Sequence, residues 1–331
     1  MPDRALHGMK LPDLIYYPDD RPGITRRKAG TGWSYRAPDG TTIDDAKERE
    51  RLNALAVPPA YVDVWISPET RGHLQATGYD EKTRKQYRYH PDWSEWRAQE
   101  KYAELPAFGT ALPALRRRIA RALSGEAGER DFAIAAVLRL IDHTSMRVGS
   151  EAYRAENGTE GATTLRSRNL RMDGKGLRLD FTAKGGKRVR RQLSDRTLLR
   201  ALHDLSDLPG APVFEWIEEG ERHTVQADHV NDWLREATGL EGATAKTFRT
   251  WNGSVVALEE AMKAGEGVTI KAMSEAAAEA LHNTPTIART SYIHPQVIDL
   301  AETWRDPAVP DGPGGLRQAE RALLGLIGQD R

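Results

Sequence analysis

The sequence predicts an α+β protein. A small β-rich N-terminal domain, residues 1–90, precedes a mainly helical domain, residues 91–331, that holds a small antiparallel sheet. Three observations predict this. Short alternating apolar runs, separated by turn residues, dominate the first ninety positions. From Pro91 onward apolar residues recur at helical spacing. Between Leu165 and Leu193 the pattern returns to short strands.

In chain order, Gly32 to Ile43 reads as a strand, a Pro38-Asp39-Gly40 turn and a second strand. Asp44 to Leu55 is helical and is ended by Pro58-Pro59. Val62 to Ile66 alternates as a half-buried strand, and His73 to Thr77 is another. Arg84 to His90, RKQYRYH, is a last short strand with Lys85, Tyr87 and Tyr89 on one face and Gln86 and Arg88 on the other. Interleaved cations, aromatics and an amide suit phosphates and base edges. A charged, solvated edge strand has the same composition.

Helices follow at 93–102, 112–123 and 130–146, the last placing Arg147 at its C-terminal end, where a cation complements the helix dipole. Strands surround Leu170, Leu177-Phe181 and Val189-Leu193, with turns at Asp173-Gly174 and Gly185-Gly186. Lys184 sits beside the second turn, either as a reaching residue or as an ordinary exposed lysine. Helices resume at 195–205, 227–238, 246–262 and 273–281. Asn283-Thr284-Pro285 then breaks the chain, with Thr284 as cap and Pro285 as first residue of a helix bearing Ile287, Arg289 and Tyr292. Tyr292 is either a core tyrosine or a nucleophile beside an anion site. Residues 296–304 and 316–327 are the final helices, around a loop-like 306–315.

Composition excludes several classes. The chain has 331 residues and no cysteine, so it has neither a disulfide frame nor a thiolate metal site. No apolar run is long enough to span a membrane, and MPDRALHGMKLPDL lacks the apolar core of a signal peptide. A cytoplasmic protein is expected. Net charge is zero, with 48 cations against 48 anions, which weighs against a nucleic-acid partner. The distribution weighs the other way, because Arg166 to Arg191 holds many cations against Asp173 and Asp180.

An arginine at a helix end, a lysine on a β-hairpin, a second arginine after Lys-Thr-Phe, and a polar residue nine before a tyrosine occur here in one order. They are Arg147 in MRVGSEAY, Lys184 in FTAKGGK, Arg249 in KTFRTW, and Asn283 and Tyr292 in HNTPTIARTSY. This set resembles the active site of type IB DNA topoisomerases. The stretch GYDEKTRKQYRYH is similar to the family's β-domain segment that contacts the DNA major groove, which implies that Gln86 and Tyr87 read bases. Tyr153 and Lys246 fall where the family has residues near DNA phosphates. The resemblance covers nearly the whole chain and is greatest to the small viral and bacterial branch. It implies the fold shared by tyrosine recombinases and these topoisomerases. It also implies a double-stranded DNA partner clamped by a monomer, a nucleoid-associated location, and no metal or other cofactor. Two features depart from the pattern: Asn283 stands where many members carry histidine, with His282 one place out of register, and glycines follow Lys184 where the viral branch has Asp.

The implied chemistry is a transesterification. A phenol oxygen replaces one ester oxygen of a DNA phosphodiester, leaving a 3′-phosphotyrosine and a free 5′ end that turns about the intact strand before religation. Tyr292 is the nucleophile, and nearby guanidiniums favour its ionised form. Arg147 and Arg249 match phosphate in planar, bidentate fashion, each contributing roughly 3 kcal/mol when aimed at the transition state. Asn283 adds a neutral hydrogen bond. Lys184 is the candidate general acid for the leaving 5′-oxygen. The new ester has nearly the free energy of the old, and the chain has no glycine-rich Lys-Ser/Thr phosphate loop for ATP. Supercoils of either sign would relax. A tyrosine site-specific recombinase shares this set, but usually has histidine where Lys246 stands and a helical N-terminal domain. A catalytically silent DNA-binding protein would have no need of the intact tyrosine, lysine and arginines.

Overall fold

The computed structural model describes residues 12–173, 176–206, 212–311 and 314–328. The chain divides into two units, Met1–Ala103 and Glu104–Arg331.

The first unit contains β1 (Ile24–Ala29), β2 (Gly32–Arg36), α1 (Ala46–Ala54), β3 (Val62–Ile66), β4 (Leu74–Tyr79), β5 (Lys85–Tyr89) and α2 (Pro91–Ala103). The strands form one sheet in the order β2-β1-β3-β4-β5, antiparallel throughout. Ile24, Tyr35, Leu52, Val64, Ile66 and Ala76 form its core. The expected Pro38-Asp39-Gly40 turn is present, closed by Gly40 N donating to Ala37 O at 2.9 Å, and the chain beyond it returns along β2, with Arg36 bridged to Thr42 and Ile43 N donating to Tyr35 O at 3.0 Å. The other edge of residues 32–36 pairs with β1, and the returning residues form only that short bridge rather than a full strand. Strand β1 escapes a hydrophobic reading because cations fill it. Arg26 lies over the Trp33 ring at 3.9 Å and donates to Val57 O at 2.6 Å and Pro58 O at 2.8 Å, so its charge is satisfied within the fold. Helix α2 packs with this unit because Trp93 meets the His73 ring edge-on at 5.1 Å.

The second unit contains α3 (Leu105–Ala122), α4 (Arg130–Thr144), α5 (Glu151–Asn157), β6 (Leu170–Asp173), β7 (Gly176–Ala183) and β8 (Lys187–Leu193). It continues with α6 (Arg196–Ser206), β9 (Glu215–Glu218), β10 (Glu221–Thr224), α7 (Ala227–Thr238), α8 (Ala245–Ala264) and α9 (Ile270–Leu281). The last elements are α10 (Pro285–Tyr292), α11 (Pro295–Ile298) and α12 (Gln318–Ile327). Strands β6, β7 and β8 form an antiparallel sheet in that order. Gly174 of the expected Asp173-Gly174 turn and residues 312–313 of the expected loop lie outside the described residues. The β9–β10 hairpin and α5 carry no clear sequence signal. In the hairpin, Glu219 and Gly220 both take positive φ, 51° and 84°, in a two-residue turn between the strands.

Helix α4 is apolar nearly all round and is correspondingly buried from Phe132 to Leu138. Against it pack α3, α6, α7 and α8. Phe108 of α3 meets Phe248 of α8 edge-on at 5.1 Å, and Arg116 ties α3 to Asp142 and Glu320 at 2.8 Å each. Helix α4 stops before Arg147. Ser145 takes a left-handed conformation (φ 56°) that caps it, so Arg147 lies in the irregular segment beyond rather than at the helix end. That segment is pinned where Ala162 N donates to Arg147 O at 2.8 Å and Thr163 N to Val148 O at 2.7 Å. Glycine is required at the crossing, because a Cβ on Gly161 would stand 2.4 Å from Gly149 Cα. Among the described residues no helix is long and apolar enough to cross a membrane.

Candidate active site

Four residues predicted from the sequence converge in the second unit. Tyr292 is the last residue of α10, a helix that begins as its sequence requires, with Thr284 Oγ1 accepting from Ile287 N at 3.3 Å and proline at the first position. Arg249, on the first turns of α8, is 3% exposed and stands with its guanidinium carbon 4.8 Å from the Tyr292 ring centroid. It donates through Nη1 to Ser145 O and through Nη2 to Leu281 O at 3.1 Å. Arg147 Nη2 donates to Asn283 Oδ1 at 2.7 Å. Since a guanidinium can only donate, that contact fixes the Asn283 amide with its oxygen toward Arg147. Among the described residues Asn283 Nδ2 is then a buried donor with no partner, and so is Arg249 Nε. Buried donors left unpaired cost roughly 1–3 kcal/mol each, a cost that oxygens of a bound phosphate would remove.

A cavity of about 440 Å³ is walled by Arg147, Tyr153, Lys184, Lys246, Arg249 and Tyr292, among others. Burial pushes the Tyr292 phenol up, but Arg249, Arg147 and Lys246 more than offset it and hold the phenol below its ordinary value of 10.0. Burial pulls the Arg249 guanidinium down, against the opposing pull of Tyr292 and with reinforcement from Arg147.

Lys184 is exposed in the β7–β8 turn, where Gly185 and Gly186 take φ of 83° and 75°. Its ammonium lies 5.2 Å from the Tyr153 ring centroid, so the turn reaches the wall of the same cavity. Arg289, also near Tyr292 in sequence, is exposed and lies outside the cavity wall. Gln86 and Tyr87 are on β5 of the first unit. Gln86 Nε2 donates to Asp80 Oδ2 at 3.0 Å, and Tyr87 is half exposed with its ring stacked on Tyr89. Among the described residues no group of three or more His, Asp or Glu side chains gathers as a metal site.

Lys187, Arg191 and His282 also meet the Asn283 turn; in the sequence Arg191 shows only as the end of a basic run and His282 only as a histidine one place out of register. The further signal is weak: the alternation of β8, which puts Lys187 and Arg191 on one face. Sequence reasoning passes over Gly253. A Cβ there would stand 2.7 Å from Tyr292 O and 3.1 Å from Tyr292 Cβ, so α8 and α10 approach only because position 253 has no side chain. Gly253→Ala is therefore expected to displace Tyr292 and lower strand cleavage by roughly 10²-fold, as a misplacement near 1 Å does. Single-turnover cleavage of a duplex measures this, and an unchanged rate would show that the helix pair yields freely.

A model of the catalytic core of eukaryotic DNA topoisomerase I matches residues 90–290. A model of the N-terminal domain of bacterial DNA topoisomerase IB matches residues 32–80. The chain is also similar to DNA topoisomerase 1B of Acanthamoeba polyphaga mimivirus, with 26% identity over 293 residues, 84% of this chain and 87% of that protein. With a catalytic-core match over more than half its length and an N-terminal match beside it, the chain belongs to the type IB DNA topoisomerases.

Proposed function

We propose that this enzyme relaxes positive and negative supercoils by transient single-strand cleavage through a 3′-phosphotyrosine on Tyr292. The observation that carries the reading is a buried phenol with the Arg249 guanidinium carbon 4.8 Å from its ring, in one cavity wall with Arg147, Lys184 and Lys246. The Tyr292 oxygen attacks the phosphorus, the P–O5′ bond breaks, and the leaving oxygen takes a proton. The 5′-hydroxyl end turns about the intact strand and reverses the exchange. Arg147 and Arg249 would hold the non-bridging oxygens, and the unpaired Asn283 Nδ2 would donate to one of them. Asparagine serves this role in place of the family histidine, though it cannot transfer a proton.

Lys184 is proposed as the acid, on the support of its place in the cavity wall on an exposed turn. Lys184→Ala should then be slow on an ordinary duplex and recover on one with a 5′-sulfur leaving group, which needs no proton. Equal defects on both substrates would remove Lys184 from this role. Tyr153 and Lys246 are proposed to meet flanking phosphates. Residues 1–90 are proposed as the DNA-binding domain, with Gln86 and Tyr87 at base edges. Every member of the proposed catalytic set comes from one unit of one chain, which supports action as a monomer. A DNA substrate implies association with the nucleoid.

Neither nucleotide nor metal enters these steps. Supercoiled plasmid should therefore relax fully in EDTA without ATP, and dependence on either would overturn the proposal.

A further inference from the structure

The carboxyl end of α9 is met by three cations. Strand β8 alternates, so Lys187, Val189 and Arg191 share a face, with buried Val189 between the two charges. Arg191 Nη2 donates to Ala280 O at 2.6 Å, and Arg191 Nε donates to His282 Nε2 at 2.9 Å. Lys187 Nζ donates to Asn283 O at 2.8 Å. Arg249 supplies the third, to Leu281 O. Carbonyls at a helix end lack intrahelical partners and gather the negative end of the dipole, so cationic donors suit them.

The turn they hold is a costly one. His282 takes φ 52°, a left-handed conformation that costs a non-glycine residue roughly 1–2 kcal/mol. The imidazole accepts from Arg191 only if Nε2 is unprotonated. Burial foremost, then Arg191, Arg249, Lys187 and Arg147, push His282 down to about 4, so the acceptor persists at neutral pH. The histidine one place out of register thus has a defined contact of its own. It anchors the turn from which the Asn283 amide reaches Arg147.

Lys187 and Arg191 lie on the strand that leaves the Lys184 turn. The turn bearing the proposed acid and the turn bearing the proposed amide donor are therefore joined through two side chains, neither of them in the cavity wall.

We infer that Lys187 and Arg191 are positioning residues for strand transfer, fixing the His282–Asn283 turn to the β7–β8 hairpin. This rests on the reading of Asn283 as a phosphate donor. A merely structural pair would lower stability or DNA affinity, and its effect would add to that of any other lesion. A positioning pair acts through Asn283 and disappears with it.

The test is single-turnover cleavage at saturating duplex, with Kd and thermal midpoint measured alongside. Lys187→Met and Arg191→Met should each slow cleavage about tenfold with Kd unchanged and the protein still fully folded at the assay temperature, and Lys187→Arg should restore most of the rate. In an Asn283→Ala background neither Met substitution should slow cleavage further. Should Arg191→Met not fold, Lys187→Met in both backgrounds decides the matter. Undiminished losses in the Asn283→Ala background would overturn the inference while leaving Asn283 in its role. Losses explained by unfolding at the assay temperature or by a weakened Kd would overturn it too. Cleavage by Asn283→Ala at the wild-type rate would remove the Asn283 reading, and the inference with it.

Discussion

Tyr292→Phe is expected to leave supercoiled plasmid unrelaxed while still binding duplex DNA. The substitution deletes one oxygen from a side chain that is 9% exposed, and the ring can keep its place beside Arg249. Binding rests on cations and on surfaces the change does not reach. Chemistry rests on that oxygen alone, because the proposed path runs through a covalent bond to it. Loss of a nucleophile in other covalent enzymes costs on the order of 10⁶ in rate. Relaxation by Tyr292→Phe at even a hundredth of the wild-type rate would mean that another group attacks the phosphorus.

Arg249→Lys should be the next most damaging change, slowing cleavage by roughly 10²–10³-fold although the positive charge is kept. Arg249 uses its planar fork in two directions, toward Ser145 O beyond α4 and toward Leu281 O at the end of α9, while its carbon stands over the Tyr292 ring. An ammonium is a point charge and cannot hold both carbonyls and approach the phosphate together. The pH profile gives a second reading. Arg249 is the leading cation that lowers Tyr292 against burial, so ionised phenol is available below its ordinary range. Wild-type cleavage should therefore rise with pH and level off below pH 10, and with Arg249→Ala the levelling should move upward. An identical profile in the variant would show that Arg249 does not tune the phenol.

What the sequence reveals of this molecule follows the range of the forces involved. Helix α10 is legible because its determinants are local: Thr284 caps, Pro285 starts, and His294-Pro295 ends it. The α+β class is legible from the change of period at Pro91, but the two units divide after Ala103, because α2 packs on the first sheet through Trp93 and His73. Arg147 is misplaced by the sequence because the end of α4 depends on Ser145 turning left-handed, a conformation serine seldom takes and no motif announces. Strand β1 is hidden because Arg26 is satisfied by Trp33 and by carbonyls some thirty positions away. The same holds for Lys187 and Arg191, whose partners at the end of α9 and in the turn after it lie more than eighty positions along the chain. The candidate residues of the cavity are legible through resemblance to a family. Their unpaired donors and the electrostatic balance on Tyr292 are properties of the packing.

The most direct test is to stop cleavage of a duplex with detergent, digest the adduct, and identify the linked residue and the DNA end by mass spectrometry. A 3′-phosphate ester on Tyr292 is the expected product. A 5′ linkage, an adduct on any other residue, or relaxation with no adduct formed would contradict it.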